Sequence, residues 1–150
     1  MIGLLQRVAR ASVDIDGTCV AEIGPGLLVL IGVQRNDSER EADRLLERLL
    51  GYRVFPDDDG KMNLVLRAAR GGLLLVPQFT LAADTSSGTR PGFSTAAEPA
   101  VGRHLFEYML KRAEACHEPV ASGHFGADMQ VALVNDGPVT FSLEVRPPGD

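Results

Sequence analysis

Gly24-Pro25-Gly26-Leu27-Leu28-Val29-Leu30-Ile31-Gly32-Val33 is the stretch on which the reading of the fold turns. The Gly-Pro-Gly triplet breaks the chain, and the run from Leu27 to Val33 is apolar without alternation. A strand with one wet face alternates, whereas a continuous apolar run of this length reads as a strand covered on both faces. Leu73 to Val76, entered through Gly71-Gly72, is another such run. Upstream, Leu4 to Ile15 mixes apolar and polar residues, with Val8, Val13 and Ile15 as strand formers. Asp16-Gly17 then marks a hairpin, because both central positions of such a turn favour positive φ, and Thr18 to Ile23 returns as the second strand.

Outward from this β-rich core, two segments carry helical periodicity. Asn36 to Gly51 places Ala42, Leu45, Leu46 and Leu49 on one stripe, with Ser38 and Glu41 at capping-box spacing and Gly51 as terminator. Glu98 to His117 places Val101, Leu105, Met109, Ala113 and Cys116 on one face, with Thr95 and Glu98 as the expected cap. A short strand is expected at Tyr52 to Phe55. The acidic run Asp57-Asp58-Asp59 lacks the alternation and distal glutamate of a calcium loop and reads as a solvated turn. Ala82 to Ser94 is a long Gly/Ser/Thr/Pro-rich loop, and loops of that length inside a compact domain are usually functional or mobile. Met129 to Val134 and Val139 to Val145 read as the two arms of a C-terminal hairpin around Asn135-Asp136-Gly137-Pro138, and residues 146–150 as a frayed tail. The fold expected is mixed α/β: a barrel-like pair of β-sheets with two helices packed on one side, in a single domain over residues 1–150.

Composition narrows the function classes. The chain has 150 residues, 45% of them hydrophobic and 23% charged, as in ordinary soluble domains. The longest apolar stretch is far short of the roughly 20 residues of a membrane span, and the N-terminus lacks the marks of a signal peptide. Cys19 and Cys116 stand far apart without metal-like spacing, so reduced thiols in a cytoplasmic protein are expected. A net charge of -5 argues against a general DNA or RNA coat, which needs a basic face. It leaves room for an enzyme that touches one end of a nucleic acid.

The usual catalytic signatures do not occur. There is no P-loop, no G-x-G-x-x-G and no G-x-S-x-G elbow. The three histidines, His104, His117 and His124, assemble into no triad with a serine or cysteine, and none reads as a metal ligand. No cofactor and no metal is expected.

Two segments carry a signal: Pro77-Gln78-Phe79-Thr80-Leu81 after the second buried run, and Asn135-Asp136-Gly137-Pro138-Val139-Thr140. With Leu5-Gln6-Arg7-Val8, Gly24-Pro25-Gly26-Leu27, Gly51-Tyr52-Arg53-Val54-Phe55, Gly60-Lys61-Met62-Asn63 and Phe125-Gly126-Ala127-Asp128-Met129, they form an ordered set along nearly the whole chain. That set resembles the D-aminoacyl-tRNA deacylases, the D-tyrosyl-tRNA(Tyr) deacylase family, whose two motifs usually read Ser-Gln-Phe-Thr and Asn-x-Gly-Pro-x-Thr.

The resemblance implies a homodimeric hydrolase that cleaves the ester of D-aminoacyl-tRNA, and of glycine mischarged on tRNA(Ala), as a proofreading step. It implies that Gly137-Pro138 is a cis pair entering the partner's site, where backbone carbonyls exclude the side chain of an L-amino acid, and that Arg7 holds this turn. Gln78, Phe79 and Thr80 would line the catalytic pocket, with Phe125 and Met129 walling the adenine of the substrate's 3′-terminal adenosine. Thr80 has no evident base, so the adenosine's own ribose hydroxyl is the expected activator, and DNA, lacking it, is not a partner. Pro77 departs from the family's serine. A branch of relaxed chirality also carries proline there but loses the phenylalanine, which this chain keeps as Phe79. The alternatives are that relaxed deacylase and a non-catalytic nucleic-acid-binding dimer.

Overall fold

The computed structural model describes residues 1–149; Asp150, at the end of the expected tail, lies outside the described residues. The elements run β1 (Ile2–Ile15), β2 (Thr18–Ile23), β3 (Gly26–Gly32), α1 (Glu39–Gly51), β4 (Phe55–Pro56), β5 (Met62–Leu64), α2 (Leu66–Ala69), β6 (Gly72–Pro77), a 3-10 turn (Phe79–Ala82), α3 (Pro99–Cys116), β7 (Val120–Ser122) and β8 (Gln130–Glu144). The main sheet runs β2-β1-β3-β6-β7, with β8 on the other edge of β1, and β4-β5 is a small separate ribbon.

Strand β1 organises the sheet. One edge pairs antiparallel with β3 over Ile2–Val8 and then with β2 over Ala11–Ile15. The other edge pairs antiparallel with β8 from Ile2↔Glu144 to Asp14↔Gln130. A register shift between Val8 and Arg10 changes which face of β1 looks inward. Leu5 belongs to the cluster under the helices, while Val8, Ala11 and Val13 belong to the cluster inside the curved sheet. Bulges of this kind bend a strand and increase its twist, and the sheet curls into a nearly closed barrel.

The two buried runs explain themselves in this architecture. Strands β3 and β6 are parallel neighbours in the middle of the sheet. Leu27, Val29, Ile31, Leu73 and Leu75 face α1 and α3, and Leu28, Leu74 and Val76 face the barrel interior. Gly26 lies opposite Gly72, so close that a Cβ on Gly26 would stand 2.0 Å from the Gly72 carbonyl oxygen. Only glycine fits there, which is the structural use of the Gly-Pro-Gly and Gly-Gly breaks.

Several expectations need correction. The C-terminal segment is not a hairpin. Both arms belong to β8 and pair with the same strand, and residues 136–139 bulge out opposite Arg7 alone. A 14-residue β1 lets the chain resume the same ladder beyond these turn residues rather than reverse. Only Phe55 of the expected Tyr52–Phe55 strand is extended into a ladder, with Pro56, against β5. The stripe of α3 is rotated from the one expected: Phe106 is buried, whereas Val101 and Cys116 are exposed. Thr95 does not cap α3, whose N-cap is Glu98; its hydroxyl instead donates to the Ala82 carbonyl (2.6 Å).

Two buried acids tie the start of the chain and of α1. The Met1 ammonium is fully buried, donating to the Val145 carbonyl (2.6 Å) and to Asp37 Oδ1 (3.0 Å). Burial pushes the Asp37 carboxyl up, and the bonded ammonium pulls it partly back. Glu41 accepts from the Ser38 N–H (2.9 Å) and hydroxyl (2.8 Å), completing the expected capping box. Burial alone would raise the Glu41 pKa, but the bonds from Ser38 and Arg40 outweigh it, and the carboxyl sits below its ordinary 4.5.

A folded-state pKa below the unfolded one means that the stabilisation is present above 4.5 and fades as pH falls through the folded value. Glu41→Ala is therefore expected to cost about 1 kcal/mol at neutral pH, the usual loss at a helix cap. In denaturant unfolding, the gap to the unsubstituted chain should narrow in acid. A gap independent of pH would assign the effect to packing instead.

Candidate active site

The first motif leaves the sheet at the end of β6. Gln78 N–H still donates to the Ile31 carbonyl (2.8 Å), and the chain then winds into the 3-10 turn. Its ladder begins with Leu81 N–H donating to Gln78 O (3.2 Å), so the amides of Phe79 and Thr80 precede the first ladder bond, as at any helix start.

Proline at position 77 ends the sheet's pairing on the β7 side. Leu73 N–H donates to the Pro119 carbonyl on the β7 side (3.0 Å), and strand alternation sends the N of residue 77 to the same side. Pairing with β7 ends at Leu75↔Ser122, because the next rung of this register would need an N–H at position 77, which proline lacks. The proline ring's Cδ faces Gly123 instead, 3.5 Å from where a Cβ would stand.

Pro77, Gln78 and Phe79 open onto a cavity of about 450 Å³, walled by Val76, Phe106, Phe125 and Met129 among others. That volume falls in the range of small-molecule sites, roughly 300–1,000 Å³. None of the lining residues carries a titratable side chain. Phe79 is 60% exposed, and its ring lies 5.3 Å from that of Phe93. Phe93 arrives on the long loop, which is tied by paired bonds between Asp84 and Gly92 (2.8 and 3.0 Å). Thr80 stands beside the cavity rather than in its wall, exposed, with its hydroxyl accepting from Gln78 Nε2.

Phe93, Phe106 and Gly102 were missed by sequence reasoning. Gly102 had a signal, since glycine inside a helix costs about 1 kcal/mol against alanine and asks for a reason. Its reason is the cavity wall: a Cβ there would stand 3.3 Å from Phe125 Cζ.

The second motif lies elsewhere. Gly137, Pro138 and Arg7 do not line this chain's own cavity. The Gly137–Pro138 peptide is cis, as is Glu118–Pro119, which the sequence reading did not anticipate. Gly137 has φ +130, and a Cβ there would stand 2.7 Å from Val139 Cγ2 and 3.0 Å from Arg7 Nη2. Arg7 Nε donates to the Asp136 carbonyl (3.1 Å) and Nη1 to the Val54 carbonyl (2.7 Å). Its ion pair with the exposed Asp136 carboxylate, 3.5 Å, adds little beside those bonds. Asn135 Nδ2 donates to the carbonyls of Arg7 (2.9 Å) and Val139 (3.0 Å), closing the base of the bulge. The result is an exposed backbone turn held rigidly from below.

Among the described residues, no group of three His, Cys, Asp or Glu side chains could hold a metal ion. His104 bonds Glu39 (3.1 Å), and His117 Nε2 lies 2.8 Å from the Gly71 carbonyl. No helix among the described residues is long and apolar enough to cross a membrane.

Against known proteins, the family model described as D-Tyr-tRNA(Tyr) deacylase matches residues 4–144. The chain belongs to that family. It is 63% identical to the D-aminoacyl-tRNA deacylase of Thioalkalivibrio sulfidiphilus, covering 99% of each chain. It is 62% identical to that of Pseudomonas putida strain F1, covering 97% of this chain and all of the other. Among solved structures, a c-Myc DNA unwinding element binding protein superposes with a TM-score of 0.93 at 34% identity, covering 98% of this chain and 100% of the other. A probable eukaryotic D-amino acid tRNA deacylase shares the fold, with a TM-score of 0.73 at 17% identity over 95% and 98% of the two chains. Within the deacylase family, then, this chain has a cavity walled by uncharged residues at the first motif and a hydrogen-bonded turn at the second.

Bonds from a charged donor are each worth about 1.5–3 kcal/mol, so Arg7→Ala should free the bulge. Backbone order parameters of Gly137 and Val139 are expected to fall from about 0.85 to below about 0.6. Unchanged values would mean that Asn135 alone holds the turn.

Proposed function

We propose that the protein hydrolyses the ester of D-aminoacyl-tRNA, releasing the free D-amino acid and tRNA, and that it also clears glycine mischarged on tRNA(Ala). The observation that carries this reading is a substrate-sized cavity at Gln78-Phe79 with no titratable group in its wall, in a chain whose relatives are D-aminoacyl-tRNA deacylases. The site of action is the cytoplasm, where aminoacyl-tRNA is used.

A wall without a base or nucleophile leaves activation to the substrate. The 3′-terminal adenosine packs against Phe125 and Met129, and the aminoacyl group lies toward Gln78, Phe79 and Thr80. Water adds to the ester carbonyl while the amides of Phe79 and Thr80 stabilise the oxyanion. The carbonyl carbon then releases the ribose oxygen, which takes its proton through the neighbouring ribose hydroxyl. Thr80 fixes Gln78 by hydrogen bonding and is not the nucleophile, since nothing adjacent would take its proton.

Selectivity comes from the second motif of a second copy. The Gly137-Pro138 turn is exposed and does not line its own cavity, so it is free to enter the site of a partner in a homodimer. Its backbone carbonyls meet the side chain of an L-amino acid and leave room for a D-amino acid or glycine. Rejection by a clash suits rigid backbone, because a side chain would rotate away. DNA is no substrate, for want of the ribose hydroxyl, and a net charge of -5 does not suit a protein that coats it.

The test is deacylation of D-tyrosyl-tRNA beside L-tyrosyl-tRNA, with and without the terminal 2′-hydroxyl. Only the D-ester is expected to fall, and only with the hydroxyl present. Loss of both esters would give the relaxed deacylase, and loss of neither the binding module. Pro77→Ser should leave D-turnover within a few-fold, since the Gln78 N–H keeps its own bond to the Ile31 carbonyl beside it. A separated monomer should be inactive; full activity in one would remove the cross-subunit step.

A further inference from the structure

Every residue that lines the cavity is uncharged at neutral pH, yet one cation is built against its outer wall. The Arg103 guanidinium lies 5.0 Å from the centroid of the Phe125 ring. Its Nη2 also stands 3.5 Å from the point where a Cβ on Gly126 would be. Phe125 and Gly126 both line the cavity, as does Gly102, the residue before Arg103 on α3. The helix therefore grips the ring with two consecutive residues, Gly102 at its edge and Arg103 at its face. Arg103 is itself half exposed, and its ion pair with Glu107 is long, 3.7 Å between two solvated groups. Such a pair is worth little, which leaves the fork of N–H donors available to an incoming anion. A guanidinium already stacked on an aromatic ring is pre-oriented for phosphate.

We propose that Arg103 binds the phosphate joining the substrate's terminal adenosine to the rest of its nucleic acid chain, a specificity contact outside the neutral cavity. The inference rests on the proposed placement of the adenosine against Phe125. Arg103 touches no reacting atom; it holds the nucleotide so that the ester reaches Gln78 and Phe79. An anchor on the phosphate rather than on the aminoacyl group serves every D-aminoacyl ester equally.

The probes are adenosine and the methyl ester of adenosine 5′-monophosphate, which carries the single charge of a phosphodiester. Calorimetric titration of the full chain should show the phosphate ester binding about tenfold more tightly, with a preference that shrinks as salt rises. Arg103→Met keeps the apolar packing on Phe125 and should abolish the preference while leaving adenosine affinity unchanged. Arg103→Lys should restore part of it. With D-aminoacyl-tRNA, Arg103→Met should raise KM about tenfold with kcat unchanged. Equal binding of the two probes by the unsubstituted chain, or a preference that survives Arg103→Met, would overturn the proposal. Failure of adenosine itself to bind would instead remove the adenosine placement on which the proposal stands.

Discussion

Strand β1 hydrogen-bonds along both edges for nearly its whole length, and the two motif segments are placed by what that demands. On one edge β3 and β2 take turns; on the other β8 runs its full course. A strand so committed has no freedom to shift register, since a one-residue slip would turn Leu5, Val8 and Val13 to the wrong faces. The bulge of residues 136–139 opposite Arg7 is held by this register. Arg7 reaches it because Gln6 and Val8 on either side are locked into the ladder at Thr140 and Asn135. Strand β3, paired with β1, also carries β6 as its parallel neighbour and so sets where Pro77 ends the sheet and Gln78 begins the site.

The same frame separates two kinds of rigidity. The turn at Gly137 is stiff because charged and amide donors from β1 and Asn135 fill the carbonyls beneath it. The cavity wall is stiff because it is made of packed rings and strand ends: Phe106 buried, Phe125 gripped by α3, Met129 against the barrel cluster. Neither depends on a charged group facing the cavity. The buried charges of the described residues, Met1 with Asp37 and Glu41 with Ser38 and Arg40, do a different task, fixing the chain start and the entry to α1.

How much of this was legible from sequence follows the range of the interactions. The continuous runs at Leu27 and Leu73 spoke for doubly covered strands because their cause is local composition, and the capping box at Ser38 and Glu41 for the same reason. The hairpin assigned around Gly137 failed because whether a turn reverses the chain or bulges from a ladder depends on the partner strand. Strand β7 at Val120–Ser122 and helix α2 at Leu66–Ala69 are too short to carry a period. Thr95 had the chemistry of a cap, but the helix begins three residues beyond it at the Glu98 N-cap, and its hydroxyl serves as a donor to the Ala82 carbonyl. In the site, Pro77, Gln78, Phe79, Phe125 and Met129 were named from motifs and do share one cavity. Phe93 and Phe106 were not, since one lies in an aperiodic loop and the other one step off an expected stripe.

A cavity without ionisable groups is a selective choice on the proposed reading, beyond being an economical one. A histidine or carboxylate in the wall would activate water against any ester that entered, including the L-aminoacyl esters that the cell must keep. On that reading, activation comes from the hydroxyl beside the ester and entry is controlled by the turn of a second copy, so chemistry and selection would rest on separate parts. A slight misplacement of the substrate then loses rate without gaining a wrong reaction, because no protein group stands ready to act on the wrong ester. The cost is dependence on positioning, where misplacement by about 1 Å can lose a hundredfold in rate. That is why the rings that wall the cavity, and the residues that hold those rings, matter as much as the motif that names the site.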